Sequence, residues 1–260
     1  MVTSSRQGRV SRDELAALAA ELGTVAVPRG DRPWPELLAA HGAQAALVLE
    51  KGALVLRDDV GRLFFHPGMA HVRIKRLREG QSDRMVSAMG LRPGMTVLDC
   101  TLGLGSDAIV AAYVVGSGGR VTGIEVCAPL AAVVRHGLTH YRGPKGMAAA
   151  MARVQVTAED HREVLARLPD DSFDVVYFDP MFRRPVARSS GMVPLRHLVE
   201  MSPVDPRSVT EALRVARWRV VLKERRDSPE FARLGVAVAE GGRYSPIAFG
   251  VRGKGQGPVS

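Results

Sequence analysis

From Met95 to Phe249 the chain repeats one pattern: a short apolar run, then a helical stretch, then the next apolar run. Thr96-Val97-Leu98 leads through a Gly-rich turn into an apolar helix. Arg120 to Ile124 ends in Glu125 and precedes an Ala/Val-rich helix, and Val154-Gln155-Val156 precedes a helix from about Asp160 to Leu168. Phe173 to Phe178 is the fourth and most apolar run, and Arg219 to Leu222 is the fifth, after a helix centred on Ala212. Val236-Ala237-Val238 and Ile247-Ala248-Phe249 close the series as an antiparallel pair. Strands that alternate with helices predict a doubly wound, mostly parallel sheet. The expectation is therefore an α/β fold of seven strands with helices on both faces.

The N-terminal third reads differently. Ser11-Arg12-Asp13-Glu14 fits a capping box, and Leu15, Leu18, Ala19 and Leu22 follow at helical spacing until Gly23 stops the helix. Pro28, Pro33 and Pro35 predict an irregular stretch. Ala46 to Leu49 and Ala53 to Leu56 flank Glu50-Lys51-Gly52 as a hairpin, with a third strand at Leu63-Phe64-Phe65. The expected units are a small α+β extension at 1–68, a basic connector with a helix through Met89 at 69–94, a main domain at 95–252 and a loose tail at 253–260.

Lys plus Arg minus Asp plus Glu is 36 − 27 = +9, which favours a polyanionic partner. Only five of the basic residues are Lys and Asn is absent, so genome base composition accounts for part of the skew. Clustering says more. Arg73, Lys75, Arg76 and Arg78 precede the main domain; Arg183, Arg184, Arg188 and Arg196 lie in a stretch without an acid between Asp179 and Glu200; Arg217, Arg219, Lys223, Arg225 and Arg226 surround the fifth strand. Arg73, Lys75, Arg183, Arg184, Arg188 and Lys223 are the candidate RNA contacts, a solvated lysine being the alternative for Lys223. The two cysteines, Cys100 and Cys127, are too few for a disulfide framework and not spaced for zinc. His136 and His140 lie one helical turn apart without a third ligand, so no metal is expected. The longest apolar run, Ala108 to Val115, is about half a membrane span, and the first residues lack the apolar core of a secretion signal. A cytoplasmic protein is expected.

The richest segment is Asp99-Cys100-Thr101-Leu102-Gly103-Leu104-Gly105-Ser106-Asp107, between the first strand and its helix, where α/β sheets place ligands. Gly103 and Gly105 admit a close ligand, and their spacing is not that of the dinucleotide Gly-x-Gly-x-x-Gly. Glu125 ends the second strand about twenty residues later, where a carboxylate accepts both hydroxyl hydrogens of a ribose. Glu159-Asp160, after the third strand, is suited either to an adenine amino group or to capping a helix. Three such elements on one rim read as an S-adenosylmethionine pocket. On the same rim, Tyr177-Phe178-Asp179-Pro180-Met181-Phe182 brings an acid, a rigid turn and an aromatic ring. The lone pair of an aryl amine is delocalised into its ring and attacks poorly. Asp179 and the Pro180 carbonyl can accept that amine's hydrogens and orient its nitrogen, while Phe182 stacks on the base.

Three segments resemble the ribosomal small-subunit methyltransferase J family: Gly68-Met69-Ala70-His71 with its basic continuation, Asp99 to Asp107, and Asp179-Pro180-Met181-Phe182 with the two residues before it. Arg219 to Lys223 is similar to that family's fifth-strand segment, and the likeness runs from about residue 63 to 252. The resemblance implies a Rossmann-like class I methyltransferase fold, S-adenosylmethionine as cofactor with S-adenosylhomocysteine as product, and methylation of guanine N2 in 16S rRNA of the small ribosomal subunit. It implies cofactor contacts at Ser106 and Asp107, Glu125 and Val126, Glu159 and Asp160, and Asp179, beside Asp99, Thr101, Gly103 and Gly105. The family has Arg where Ser106 stands, a basic residue where Val126 stands, and Pro where Arg183 stands. A DNA or tRNA amino-methyltransferase and a non-catalytic RNA-binding protein with a nucleoside pocket are the competing readings.

Overall fold

The computed structural model describes residues 1–5, 10–144, 146–180, 203–242 and 245–256. Its N-terminal elements are β1 (Val2–Ser4), α1 (Arg12–Glu21), α2 (Trp34–Ala40), β2 (Ala46–Glu50), β3 (Ala53–Arg57) and β4 (Arg62–Phe64). The four strands form one sheet in sequence order, with β1 parallel to β2 and the rest antiparallel. The capping box at Ser11 and Glu14 forms as expected. So does the hairpin, in which Glu50 pairs with Ala53 across Lys51-Gly52, both left-handed in φ. The proline-rich stretch is irregular from Pro28 to Pro33, as expected, but helical from Trp34, where irregularity was expected. Pro33 and Pro35 stand at the cap and first turn of α2, where a missing N–H costs nothing.

The connector is two helices, α3 (Ala70–Arg78) and α4 (Arg84–Met89), with Asp83 capping the second through the Val86 N–H. There follow β5 (Thr96–Asp99), α5 (Ser106–Val115), β6 (Arg120–Ile124), α6 (Ala128–His140), α7 (Met147–Met151), β7 (Val154–Thr157), α8 (His161–Arg167) and β8 (Phe173–Phe178). The chain closes with α9 (Pro206–Val215), β9 (Ala216–Arg225), α10 (Glu230–Arg233), β10 (Ala237–Gly241) and β11 (Ile247–Gly253). The sheet order is β10-β11-β9-β8-β5-β6-β7. Strands β5 to β9 are parallel, and β11 runs antiparallel to β9 and to β10. This is the expected seven-stranded, mostly parallel α/β sheet. Its order reverses between β5 and β8, the switch point at which such sheets open a crevice beyond their carboxyl ends.

Alternate residues of the central strands feed two apolar layers. Val97, Val175, Tyr177 and Val221 face α5 and the N-terminal unit, whereas Leu98, Val176, Phe178 and Leu222 face α8 to α10. Burial on both faces explains why β8 reads as one continuous apolar run. Leu47, Leu54, Leu56, Leu63 and Phe65 of the N-terminal unit share the first layer with Val133 and Val134 of α6. Gly137 permits that docking: a Cβ there would stand 2.0 Å from Phe65 Cγ. No helix among the described residues is long and apolar enough to cross a membrane.

Candidate active site

β5 ends at Asp99, and the turn that follows needs the left-handed φ of Gly103 (+51°) and Gly105 (+76°) before α5 begins at Ser106. One strand over, Glu125 follows β6 and is only 6% exposed. The Gly103 N–H donates to its Oε2 at 3.1 Å and the Cys127 N–H to its Oε1 at 2.9 Å, so the carboxylate locks the turn in place. Burial pushes the Glu125 carboxyl up, and these two backbone donors oppose that shift.

On the other side of the crevice the Asp179 N–H donates to Thr101 Oγ1 at 2.6 Å, tying the end of β8 to the same turn. The Asp179 side chain is 27% exposed toward the opening, yet the dense protein around it raises its carboxyl. Lys223, on β9, opposes that rise by donating to Asp179 Oδ2 at 2.7 Å. The same ammonium donates to Asp107 Oδ2 at 2.9 Å. Asp107 also accepts from the Tyr177 hydroxyl at 2.7 Å and from Arg73. Although burial works against it, the cations Lys223 and Arg73 hold the Asp107 carboxyl well below the usual range. Arg73 reaches Asp83 as well, at 2.7 and 2.9 Å, and so binds α3, the cap of α4 and the first turn of α5 into one cluster. Asp99, 2% exposed, accepts from the Thr101 N–H at 3.1 Å. Burial first, then the neighbouring carboxylates of Asp107 and Asp179, push its carboxyl up to about 8.

These groups line a cavity of about 420 Å³, within the range of roughly 300–1,000 Å³ typical of small-molecule sites. Asp99, Thr101, Gly103, Gly105, Ser106, Asp107, Glu125, Val126, Asp179 and Pro180 all border it. Glu159 and Asp160 do not. Glu159 pairs with Arg167, and Asp160 caps α8, accepting the Arg162 N–H at 2.8 Å and pairing with its guanidinium. His161, which sequence reasoning passed over, borders the cavity in their place. Arg73 and Lys223, expected at RNA, are turned inward to carboxylates, and Lys75 is exposed and 3.9 Å from Glu79. Phe182, Arg183, Arg184 and Arg188 lie outside the described residues. Met69 and Leu104, from two of the segments singled out in the sequence, supply apolar walls, as do Leu130 and Val204, which no motif signalled.

The family model "Putative SAM-dependent methyltransferase" matches residues 36–242. The chain belongs to this methyltransferase family. It is 48% identical over 194 residues to the uncharacterized protein YpiP of Bacillus subtilis (strain 168), covering 74% of this chain and 76% of that one. It is 33% identical over 209 residues to the ribosomal RNA small subunit methyltransferase J of Pseudomonas syringae pv. tomato, covering 74% and 75%. The crystal structure of the SAM-dependent methyltransferase NGO1261 from Neisseria gonorrhoeae superposes with a TM-score of 0.64 at 19% identity, over 98% of this chain and 96% of that one, and so shares the fold.

Family membership implies S-adenosylmethionine as the methyl donor, and the cavity suits it. Asp107, Glu125 and Asp179 border the methyltransferase's cavity as carboxylates against two cations, Arg73 and Lys223, an excess that favours a sulfonium, while the Asp99 carboxyl beside them holds its proton. A Cβ at Gly103 would meet nothing within 4 Å, which leaves the turn's backbone open to a ligand. Val126, 40% exposed beside Glu125, offers an apolar surface to a planar base. Among the described residues no group of His, Cys, Asp and Glu is arranged to hold a metal.

Proposed function

We propose that this methyltransferase modifies an exocyclic amino group of a nucleobase in RNA, with guanine N2 of the small-subunit rRNA as its target. The observation that carries this reading is the placement of Asp179 and Pro180 on the cavity that also holds Glu125 and the Gly103–Gly105 turn. A nucleobase amine needs acceptors for its hydrogens at that point, and Asp-Pro supplies a carboxylate and a carbonyl. The relatives named ribosomal RNA small subunit methyltransferase J support the choice of substrate. The net charge of +9 suits a polyanion.

In this reading bound S-adenosylmethionine supplies an electrophilic methyl group on its sulfonium. Glu125 accepts from the ribose hydroxyls with the lone pairs that Gly103 and Cys127 leave open. Asp179 and the Pro180 carbonyl accept from the two amine hydrogens and turn the nitrogen lone pair toward the methyl carbon. As the N–C bond forms and the C–S bond breaks, the nitrogen must lose one proton. Asp179 takes it, its basicity set by burial against the pull of Lys223. Phe182 stacks on the base, and Arg183, Arg184 and Arg188 meet flanking phosphates. Glu159 and Asp160 act on the cofactor only by giving up their Arg167 and Arg162 partners.

The test is transfer of labelled methyl from S-adenosylmethionine to 30S subunits, free 16S rRNA, tRNA and duplex DNA. The expected result is label in small-subunit RNA, recovered as N2-methylguanosine after nuclease digestion. Label confined to tRNA or DNA, or no transfer to any of the four, would overturn the reading.

A further inference from the structure

We infer that the outer face of the N-terminal sheet is a second RNA-binding surface, which holds single-stranded RNA next to the segment entering the active site. The inference rests on the RNA reading above and adds a site to it.

Helix α2 covers only part of that face, closing a small apolar cluster of Leu38, Ala46, Val48 and Val55. Beyond it the face opens into a cavity of about 770 Å³. Among the described residues Lys51, Arg57 and Arg62 line this cavity against one carboxylate, Glu50, while Arg29 borders it from a buried position in which it donates to the Arg32 carbonyl. The guanidiniums of Arg29 and Arg57 stand 4.3 and 4.6 Å from the centre of the Trp34 ring, and that of Arg62 stands 5.6 Å from the centre of Phe64. Phe64 is itself 45% exposed.

Arg57 and Arg62 are direct cross-strand partners in the β3–β4 register. Like charges at such positions destabilise a sheet. Among the described residues Glu50 pairs with Arg62, from 3.5 Å, and no carboxylate pairs with Arg57. A polyanion laid across the face removes the repulsion. The stacking of Arg57 on Trp34 restrains its guanidinium before any ligand arrives, so less freedom is lost when its N–H edge meets phosphate. Bare phosphate recognition would not need Phe64. An exposed ring interleaved with guanidiniums fits a base between phosphates, which selects nucleic acid over an acidic polypeptide. The ring also needs an unstacked base, which selects a single strand.

Position links this face to the chemistry. Met69 borders the active-site cavity and lies five residues after Phe64. Those five residues span at most about 18 Å. One RNA strand with its target base at Asp179 therefore reaches Phe64 within a few nucleotides.

The test measures anisotropy of a fluorescently labelled, short single-stranded RNA from 16S rRNA at several salt concentrations. Wild type is compared with Arg57→Glu/Arg62→Glu, with Arg62→Glu alone and with Phe64→Ala. S-adenosylhomocysteine affinity, measured by calorimetry, should be the same in all four and reports that each is folded. The double variant should raise Kd about tenfold or more and reduce the log–log salt slope by about 1.4, the contribution of two phosphates. Phe64→Ala should raise Kd about five- to 150-fold, the range for one stacked base. Wild type and variants binding RNA with equal Kd and slope would overturn the inference and leave the RNA reading standing. Failure of wild type to bind the RNA would overturn both. Displacement of the RNA by polyglutamate together with no effect of Phe64→Ala would overturn the inference by marking the face as a site for acidic protein.

Discussion

Lys223 donates to Asp179 at 2.7 Å, and the same ammonium bridges to Asp107 at 2.9 Å, so β9 neutralises a carboxylate just after β8 and another on α5. The cation contributed by the fifth parallel strand thus sets the electrostatics of an acid that faces the cavity.

Replacing Lys223 with Met removes that cation and leaves both carboxylates in place. Asp107 keeps Arg73 and Tyr177, whereas among the described residues Asp179 keeps the bond from its N–H to Thr101 and its neighbour Asp107, and no cation. Breaking a buried ion pair costs about 3–5 kcal/mol, and the partial exposure of this one puts the expectation near about 3 kcal/mol. Urea unfolding at pH 7 measures it, with Lys223→Arg retaining most of the stability. An unchanged midpoint for Lys223→Met would show that the bridge contributes nothing net.

Glu125→Ala should lower affinity for S-adenosylhomocysteine by about ten- to a hundredfold, the equivalent of about 1.5–3 kcal/mol for a charge-assisted contact. The substitution also strips an acceptor from the Gly103 and Cys127 N–H groups, so a fall in melting temperature is expected beside the loss of binding. Titration calorimetry on the folded variant gives the affinity directly. A dissociation constant equal to that of wild type would take Glu125 out of the cofactor site.

Asp99 makes stability depend on pH. Its carboxyl is pushed up to about 8 in the fold and returns to about 3.9 on unfolding. Between those values the native state holds a proton that the unfolded chain releases, so this group's stabilisation is complete below about pH 4 and is lost as pH rises toward 8. Asp99→Asn keeps an acceptor for the Thr101 N–H and carries no titrating proton. Its stability relative to wild type should therefore rise from pH 5 to pH 8, by up to about 1.4 kcal/mol per pH unit. Parallel stability profiles for the two proteins would mean that Asp99 is ionised throughout.

The parallel strands were legible because burial on both faces writes each as an unbroken apolar run, with Phe173 to Phe178 the clearest. Three-residue β1 was not legible, because its place depends on a parallel partner more than forty residues away, Val2 pairing with Leu47. Helix α2 hid behind prolines that reside at its cap and first turn. In the site, Asp99, Glu125 and Asp179 stood out because strand ends of one sheet must share a rim. The partners of Arg73 and Lys223 did not stand out. Arg73 and Asp107 are 34 residues apart and Lys223 and Asp179 are 44 apart, and nothing in local spacing says which acid a basic residue will meet. For the same reason a solvated or RNA-facing cation was the natural reading of both. Glu159 and Asp160 show the converse: their position after the third strand suggested a ligand, while Arg162 and Arg167 on the adjoining helix occupy their carboxylates.

Asp179→Asn separates chemistry from binding. Asparagine retains an oxygen for Lys223 and the shape of the turn, and it loses the ability to take a proton from the amine. Loss of one preorganised polar group at a reacting centre costs about a hundredfold or more in rate. Single-turnover methyl transfer to 30S subunits at saturating S-adenosylmethionine reads that rate without interference from cofactor affinity. The pH dependence supplies the sharper criterion. Burial raises the Asp179 carboxyl, so its ionised form is depleted as pH falls through that raised value, and wild-type transfer should decline on the acid side. In Asp179→Asn no carboxyl titrates at that position, so this limb should be missing from an already slow reaction. A variant that is slow yet keeps the acid limb would assign the titration to another group, and a near-wild-type rate would remove Asp179 from the mechanism altogether.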